Sequence, residues 1–395
     1  MASDELKTLG IYIHIPFCRS KCQYCDFYSI GGSRDKRLVD NYLQALALHF
    51  KETGALASDY VVDTVYFGGG TPSFFGADNL RRIFAELQHR FRVDKDAEVT
   101  FEANPDSVSD ALLKKLRAEG FNRISLGVQS DDDEMLKKLG RPHTYEQARS
   151  AVQLARRCGF DNISVDLMYG LPNQTLAQWE QTLEHVLLMQ PEHVSCYGLK
   201  VEENTPLWHY RNEANLPDDE AQADMYLRMV AILKEQGYRQ YEISNFARLG
   251  YESRHNLKYW LGREYIGFGP AAASDFAGKR YTNLPDIHTY VRGVLRQDIP
   301  ILSECETIPL RERAGEYLML RLRTSRGIGP EEYEKSFLMP FEPLLQLIEP
   351  MRERGLFERV NGRWVLTPTG FLLSNRVIAL LQKAQEESTP LAKKR

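Results

Sequence analysis

From residue 11 to about residue 243, short apolar stretches alternate with amphipathic ones at a steady pitch, and this alternation constrains the fold more than any other feature. The stretches 11–15, 61–67, 98–102, 123–128, 162–168 and 193–199 are short, apolar and β-prone, the mark of strands. Between and after them, 40–52, 79–91, 109–119, 145–158, 176–188 and 218–236 carry helical periodicity, and 241–243 reads as one more strand. Such repetition implies parallel strands joined by right-handed crossovers. Six or seven units make either a (β/α) barrel, full or partial, or an open doubly wound sheet. Chemistry-bearing residues follow strand after strand: Cys18, 68–72, 102–105, Gln129 and 166–172. A barrel gathers such residues on one face, whereas an open sheet does so only at a switch point. The expected fold is therefore α/β, a barrel over residues 1–245.

The pattern changes beyond residue 245. Residues 246–306 are rich in glycine, aromatic and basic residues and read as a connecting region. Helices are expected at 310–323, 330–337 and 344–354, then a hairpin with strands 356–360 and 363–366 around an Asn361-Gly362 turn, then a last helix at 370–387. Helices followed by a hairpin suggest a small α+β, winged-helix-like domain over 307–395. The tail 386–395 is polar and is expected to be disordered.

Net charge is −4, so nothing in the bulk composition attracts nucleic acid, and no basic stripe favours DNA binding through the winged-helix-like region. No run of apolar residues is long enough to span a bilayer, and 11–17 is too short and too interrupted by histidine for a signal peptide. The expected location is the cytoplasm. Six cysteines, three of them within eight residues and Cys158, Cys196 and Cys305 scattered, do not make a disulfide scaffold.

The three clustered cysteines are Cys18, Cys22 and Cys25. Three thiolates on one loop can hold three irons of a cubane, with the fourth iron left open because Asp26 and Phe27 follow. Two plainer readings remain at this point: a Cys3His zinc site completed by His14, or cysteines packed on one helix face. Cys-x-x-x-Cys-x-aromatic-Cys after an apolar strand resembles the signature of the radical S-adenosylmethionine (radical SAM) superfamily. That resemblance implies a partial radical SAM barrel, Cys18, Cys22 and Cys25 as ligands of a [4Fe–4S] cluster, S-adenosylmethionine on the open iron, and Tyr24 near the adenine.

Residues 66–72, Tyr-Phe-Gly-Gly-Gly-Thr-Pro, end a strand where glycines allow close backbone approach. Glu102, Gln129 and Asp166 end later strands, and Arg141 precedes a helix. A buried Asp166 needs a polar ligand or an internal partner. The whole series, opening on Ile11-Tyr-Ile-His-Ile-Pro-Phe-Cys18, resembles the oxygen-independent coproporphyrinogen oxidase-like branch of the superfamily. It implies contacts to S-adenosylmethionine from Tyr12, Gly69, Gly70, Thr71, Glu102, Gln129, Arg141 and Asp166. Two departures point away from oxidase activity. Phe27 stands where the oxidases carry a further cysteine, and the first strand begins almost at once, without their longer lead-in.

The segment His255-Asn256-Leu-Lys-Tyr259-Trp260 resembles the His-Asn-x-x-Tyr-Trp motif of the HemW heme chaperones. Histidine is a good axial ligand for heme iron, and Tyr259 and Trp260 offer flat aromatic surface. The plain alternative is a histidine hydrogen-bonded in a core turn. Arg254 and Lys258 could pair heme propionates, and the glycine-rich stretch 265–273 could line the same cavity. The resemblance implies heme as a ligand, heme-accepting membrane respiratory proteins as partners, dimerisation, and association with the inner face of the membrane. A reduced flavodoxin-type protein is the kind of electron donor it brings with it. The competing class is a catalyst: a coproporphyrinogen decarboxylase, or a methyltransferase or cyclopropanase using two molecules of S-adenosylmethionine.

Overall fold

The computed structural model describes residues 7–32 and 35–391. The chain forms two compact units, one from residues 1–218 with 264–306, the other from 219–263 with 307–395.

The first unit is built on six parallel strands in chain order: β1 (Lys7–Ile15), β2 (Tyr60–Gly69), β3 (Val93–Ala103), β4 (Arg123–Gln129), β5 (Ile163–Tyr169) and β6 (His193–Gly198). A seventh, β7 (Tyr265–Phe268), lies parallel to β1 on its other side, with Ile13 opposite Phe268. Beyond it come β8 (Ala273–Phe276), β9 (Lys279–Asn283) and the edge strand β10 (Leu302–Thr307). Sequence patterning read 265–273 as a glycine-rich cavity lining; its first four residues are a strand of the sheet. The tight approach there explains the glycine, because a Cβ on Gly267 would lie 2.3 Å from the Ala273 carbonyl.

The strands are apolar almost continuously because both their faces are covered. Ile11, Ile13, Val65, Phe67, Phe101, Leu126, Val165 and Leu167 are wholly buried. The helices between them are set by explicit start signals. Thr144 and Gln147 form a capping box before Tyr145–Arg157, and Thr175 and Gln178 form another before Leu176–Leu187. The arrangement is a partial (β/α) barrel that gathers the C-terminal ends of β1–β5 on one face.

In the second unit, helix Asp219–Glu235 is followed by strand Arg239–Gln240, two residues before the predicted 241–243. Tyr241 and Ile243, bonded to Ser325 and Arg323, flank a single antiparallel bridge between Glu242 and Thr324. Helices Leu310–Arg321, Pro330–Phe337 and Glu342–Glu353 precede a hairpin of Phe357–Val360 and Arg363–Leu366. Asn361 and Gly362 at its tip have φ of 50° and 79°, as a two-residue turn between twisted strands requires. The last helix is broken at Leu373 into Pro368–Leu372 and Ser374–Glu387, and it carries regular structure into the tail expected to be disordered. The last part of that tail, 392–395, lies outside the described residues. Among the described residues, no helix is long and apolar enough to cross a membrane.

Candidate functional site

The cysteine loop leaves the C-terminal end of β1. Phe17–Cys18 pairs with Ile30–Gly31, so the loop is closed at its neck. Its middle is pinned from outside: Gln23 N–H donates to Leu139 O (3.1 Å), Leu207 N–H donates to Gln23 O (2.9 Å), and Tyr210 Oη donates to Gln23 Oε1 (2.6 Å). Cys18 is buried, and its Sγ lies 3.4 Å from Thr71 Oγ1. Burial is the main cause that pushes the thiols of Cys18 and Cys25 up, and each is raised further by charge on its neighbouring cysteines.

His14 does not join them. Its Nε2 lies 2.8 Å from Tyr28 O and its Nδ1 lies 3.0 Å from Tyr12 Oη. Among the described residues, no three His, Cys, Asp or Glu side chains converge on one metal position. The Cys3His reading finds no support in this geometry. A cubane places each thiolate on a different iron, so its ligands need not meet at a point.

Gly69 and Gly70 are dictated by packing. Gly69 has φ +107°, and a Cβ there would lie 2.5–2.9 Å from ring atoms of His14. A Cβ on Gly70 would lie 2.7 Å from Ile15 O. With the glycines in place, Gly70 N–H donates to Ile15 O (2.8 Å) and Thr71 N–H to Phe17 O (2.9 Å), which seats the root of the cysteine loop on the end of β2. Gly69 N–H donates to Glu102 Oε2 (3.1 Å), and Tyr66 Oη donates to Glu102 Oε1 (2.9 Å). Burial nevertheless dominates and pushes the Glu102 carboxyl up to about 7, with Asp166 adding to the rise. Tyr12 stacks on Tyr66, ring centroids 6.2 Å apart.

Arg141 draws two strand ends and the loop together. Its Nη2 donates to Asn104 Oδ1 (2.8 Å) and Gly127 O (2.5 Å), and its Nη1 lies 3.7 Å from Cys22 Sγ. Tyr24 is hydrogen-bonded to the same guanidinium and packs against Leu139, Met168, Leu171, Leu199 and Leu207. Asp166 has its internal partners: both carboxylate oxygens accept from Ser125 Oγ (3.1 and 3.0 Å), and Ser164 and Ser195 add bonds. Burial, the largest influence, still raises its carboxyl. Gln129 ends β4 at φ 70°, just past a register shift between Gly127 and Gln129.

Sequence reasoning overlooked Tyr66, Ser164 and Ser195 as part of this layer. Register was the signal that could have found them, since Ser125 pairs with Ser164 and Asp166 with Ser195 across adjacent strands.

His255 belongs to the second unit. Ser253 caps the helix Arg254–Trp260 by accepting from Asn256 N–H. His255 is buried, and its Nε2 lies 2.7 Å from Tyr259 Oη, with the two rings edge to face at 5.1 Å. Burial and this bond are what the plain alternative describes, and Nε2 is also the atom that the heme reading uses. Lys258 is also buried, and Arg254 is exposed.

Comparison with known proteins follows this geometry. The radical SAM superfamily signature matches residues 12–186, and the HemN C-terminal domain matches residues 308–373. The chain is 35% identical over 372 residues to heme chaperone HemW of Bacillus subtilis, covering 93% of this chain and 97% of that one. The chain belongs to the HemW family. HemW of Lactococcus lactis is likewise 35% identical, covering 94% and 96% of the two chains. The bovine radical S-adenosyl methionine domain-containing protein 1, mitochondrial, is 33% identical, covering 96% and 90%. Among solved structures, coproporphyrinogen III oxidase (HemN) from Escherichia coli superposes with a TM-score of 0.83 at 24% identity, covering 96% of this chain and 91% of that one. The fold is thus the HemN-like radical SAM fold with its C-terminal domain, and HemW is the family in which the site is to be understood.

Proposed function

We propose that this protein is a heme chaperone that holds a [4Fe–4S] cluster on Cys18, Cys22 and Cys25, binds S-adenosylmethionine beside it, and passes heme to membrane respiratory proteins. The observation that carries the reading is the near end-to-end match to chaperones of that name, in a chain that has the cysteine loop and the helix Arg254–Trp260. The donor set fits a cubane: three sulfurs on one pinned loop, with the Arg141 guanidinium beside Cys22 to offset negative charge. When bound, a cluster of this kind supplies one-electron chemistry at its open iron. The reading extends to a cytoplasmic protein that meets the inner face of the membrane, pairs with a second copy, accepts electrons from a reduced flavodoxin-type donor and binds no nucleic acid.

Glu102 suits the cationic end of S-adenosylmethionine. Its carboxyl, raised to about 7 by burial, is largely protonated in mildly acid solution, and a cation beside it favours the ionised form. The cation therefore binds the form that accumulates above pH 7. Affinity for S-adenosylmethionine should rise between pH 6 and pH 8, and Glu102→Gln should bind weakly with a flat profile. Calorimetric titration of the reconstituted protein at several pH values checks this; an equal slope in the variant would sink the assignment.

For heme, His255 Nε2 must leave the Tyr259 hydroxyl before it can reach iron, since one nitrogen cannot serve both. Heme titrated into anaerobically reconstituted protein should bind tightly to the wild type and at least about tenfold, ~1.4 kcal/mol, more weakly to His255→Ala. Tyr259→Phe removes the competing hydroxyl and should bind at least as tightly as wild type. A coproporphyrinogen turnover assay alongside should yield no protoporphyrinogen. Unchanged binding in His255→Ala together with turnover would make the protein an enzyme of porphyrin synthesis.

A further inference from the structure

The second unit contains a cavity of about 430 Å³ that the heme and cluster reading does not use. Its polar lining is Arg321, Ser325, Arg326, Glu332, Asn361 and Arg363. Chain order explains how they meet. Arg321 ends the helix Leu310–Arg321, Ser325 and Arg326 follow in the next turn, and Glu332 lies in the first turn of Pro330–Phe337. Asn361 is at the hairpin tip, and Arg363 opens its second strand.

Glu332 is the only carboxylate in that lining, and it is already engaged. It accepts from Arg321 Nη2 (2.7 Å), Arg363 Nη2 (2.5 Å) and Tyr317 Oη (3.0 Å). Arg363 is fixed further by Nε donating to Arg326 O (2.7 Å) and Nη2 to Gly327 O (3.0 Å). Three guanidiniums against one carboxylate leave two positive charges uncompensated. Arg321 is 8% exposed, and its buried Nε has no hydrogen-bond partner. Burial chiefly lowers its pKa, and both Arg363 and Arg326 lower it further. A buried N–H donor without an acceptor is costly, and like charges gathered in one lining repel. A ligand that brings oxygen acceptors and negative charge to the lining would relieve that repulsion.

We propose that this cavity is a binding site for a phosphate monoester group. A carboxylate would neutralise one of the two charges, whereas a phosphate dianion neutralises both. Its oxygens also suit guanidinium forks arriving from different elements. The cavity exceeds the space one oxyanion needs, so the phosphate is expected to carry an organic part. That part has two sources with the same chemistry: a soluble phosphorylated metabolite or the headgroup of an anionic lipid.

The test uses the full-length protein at constant ionic strength. Three probes are titrated calorimetrically: inorganic phosphate, glycerol 3-phosphate, and phosphatidylcholine vesicles with and without phosphatidic acid. Arg326→Gln is the first variant, because Arg326 is exposed and the interior bonds of Arg363 and Glu332 do not depend on its side chain. Arg363→Lys, which keeps the charge but loses the fork, is the second, with circular dichroism confirming that each variant is folded. Wild type should bind at least one phosphomonoester probe, and Arg326→Gln should weaken it by about tenfold or more. Tighter binding to the phosphatidic acid vesicles assigns the site to lipid, and tighter binding to glycerol 3-phosphate assigns it to a soluble ligand. No binding to any of the three probes, or binding unchanged in both variants, overturns the proposal.

Discussion

Replacing Cys22 by alanine should leave the reconstituted protein essentially without iron. Three sulfurs are the minimum that can anchor three corners of a cubane, and a pair of thiolates would leave two irons exposed to chelators and water. The substitution should spare the fold. The loop is pinned by main-chain bonds from Gln23 to Leu139 and Leu207 and by the Phe17–Cys18 neck, none of which uses the Cys22 side chain. Iron and sulfide content, visible absorption and electron paramagnetic resonance after anaerobic reconstitution measure the effect. Cys158→Ala is the control, since that residue ends the helix Tyr145–Arg157 and its Sγ faces Asp110 at 3.8 Å. Full iron in Cys22→Ala, or equal loss in Cys158→Ala, would refute the assignment of the loop.

Gly69→Ala should be the most damaging of the small substitutions at the site. Its φ of +107° is strained for any residue with a Cβ, and the added carbon would meet the His14 ring at 2.5 Å. The ring has little room to yield, because both its nitrogens are engaged by Tyr28 and Tyr12. The two penalties together should cost ~3 kcal/mol or more. Gly278→Ala separates them. It has φ +77° with nothing within 4 Å of the added carbon, so it carries the backbone penalty alone, about 1 kcal/mol. Chemical denaturation of both variants gives the comparison. If Gly69→Ala costs no more than Gly278→Ala, the fit between the glycine edge and the His14 ring is not what seats the cysteine loop.

The barrel strands were legible because burial on both faces makes each of them apolar throughout. Residues 61–67 and 123–128 were read within a few residues of Tyr60–Gly69 and Arg123–Gln129. The strand Tyr265–Phe268 was not legible. Its Gly267 is demanded by a neighbouring carbonyl that no local pattern reveals, and glycine in a short run reads as a turn. The break at Leu373 was missed because both helical pieces keep apolar periodicity across it. At the site, the cysteines could be read directly from their spacing. Arg141 could not be understood that way, because its partners Asn104, Gly127 and Cys22 come from three separate stretches of chain. His255 is a different case. A motif marks the residue, yet the Ser253 cap and the Tyr259 hydroxyl decide that it starts buried and occupied.

The position of β7 beside β1 has a bearing on synthesis. The strand that leads into the cysteine loop is made first, and β2 can cover one of its edges early. The other edge waits for Phe268 to emerge opposite Ile13. At about 5–20 residues per second, roughly ten to fifty seconds separate the two events on the ribosome. Throughout that interval a row of main-chain donors and acceptors stands bare next to three reduced thiols, so nascent chains are expected to be most vulnerable to mispairing and oxidation before the seventh strand arrives.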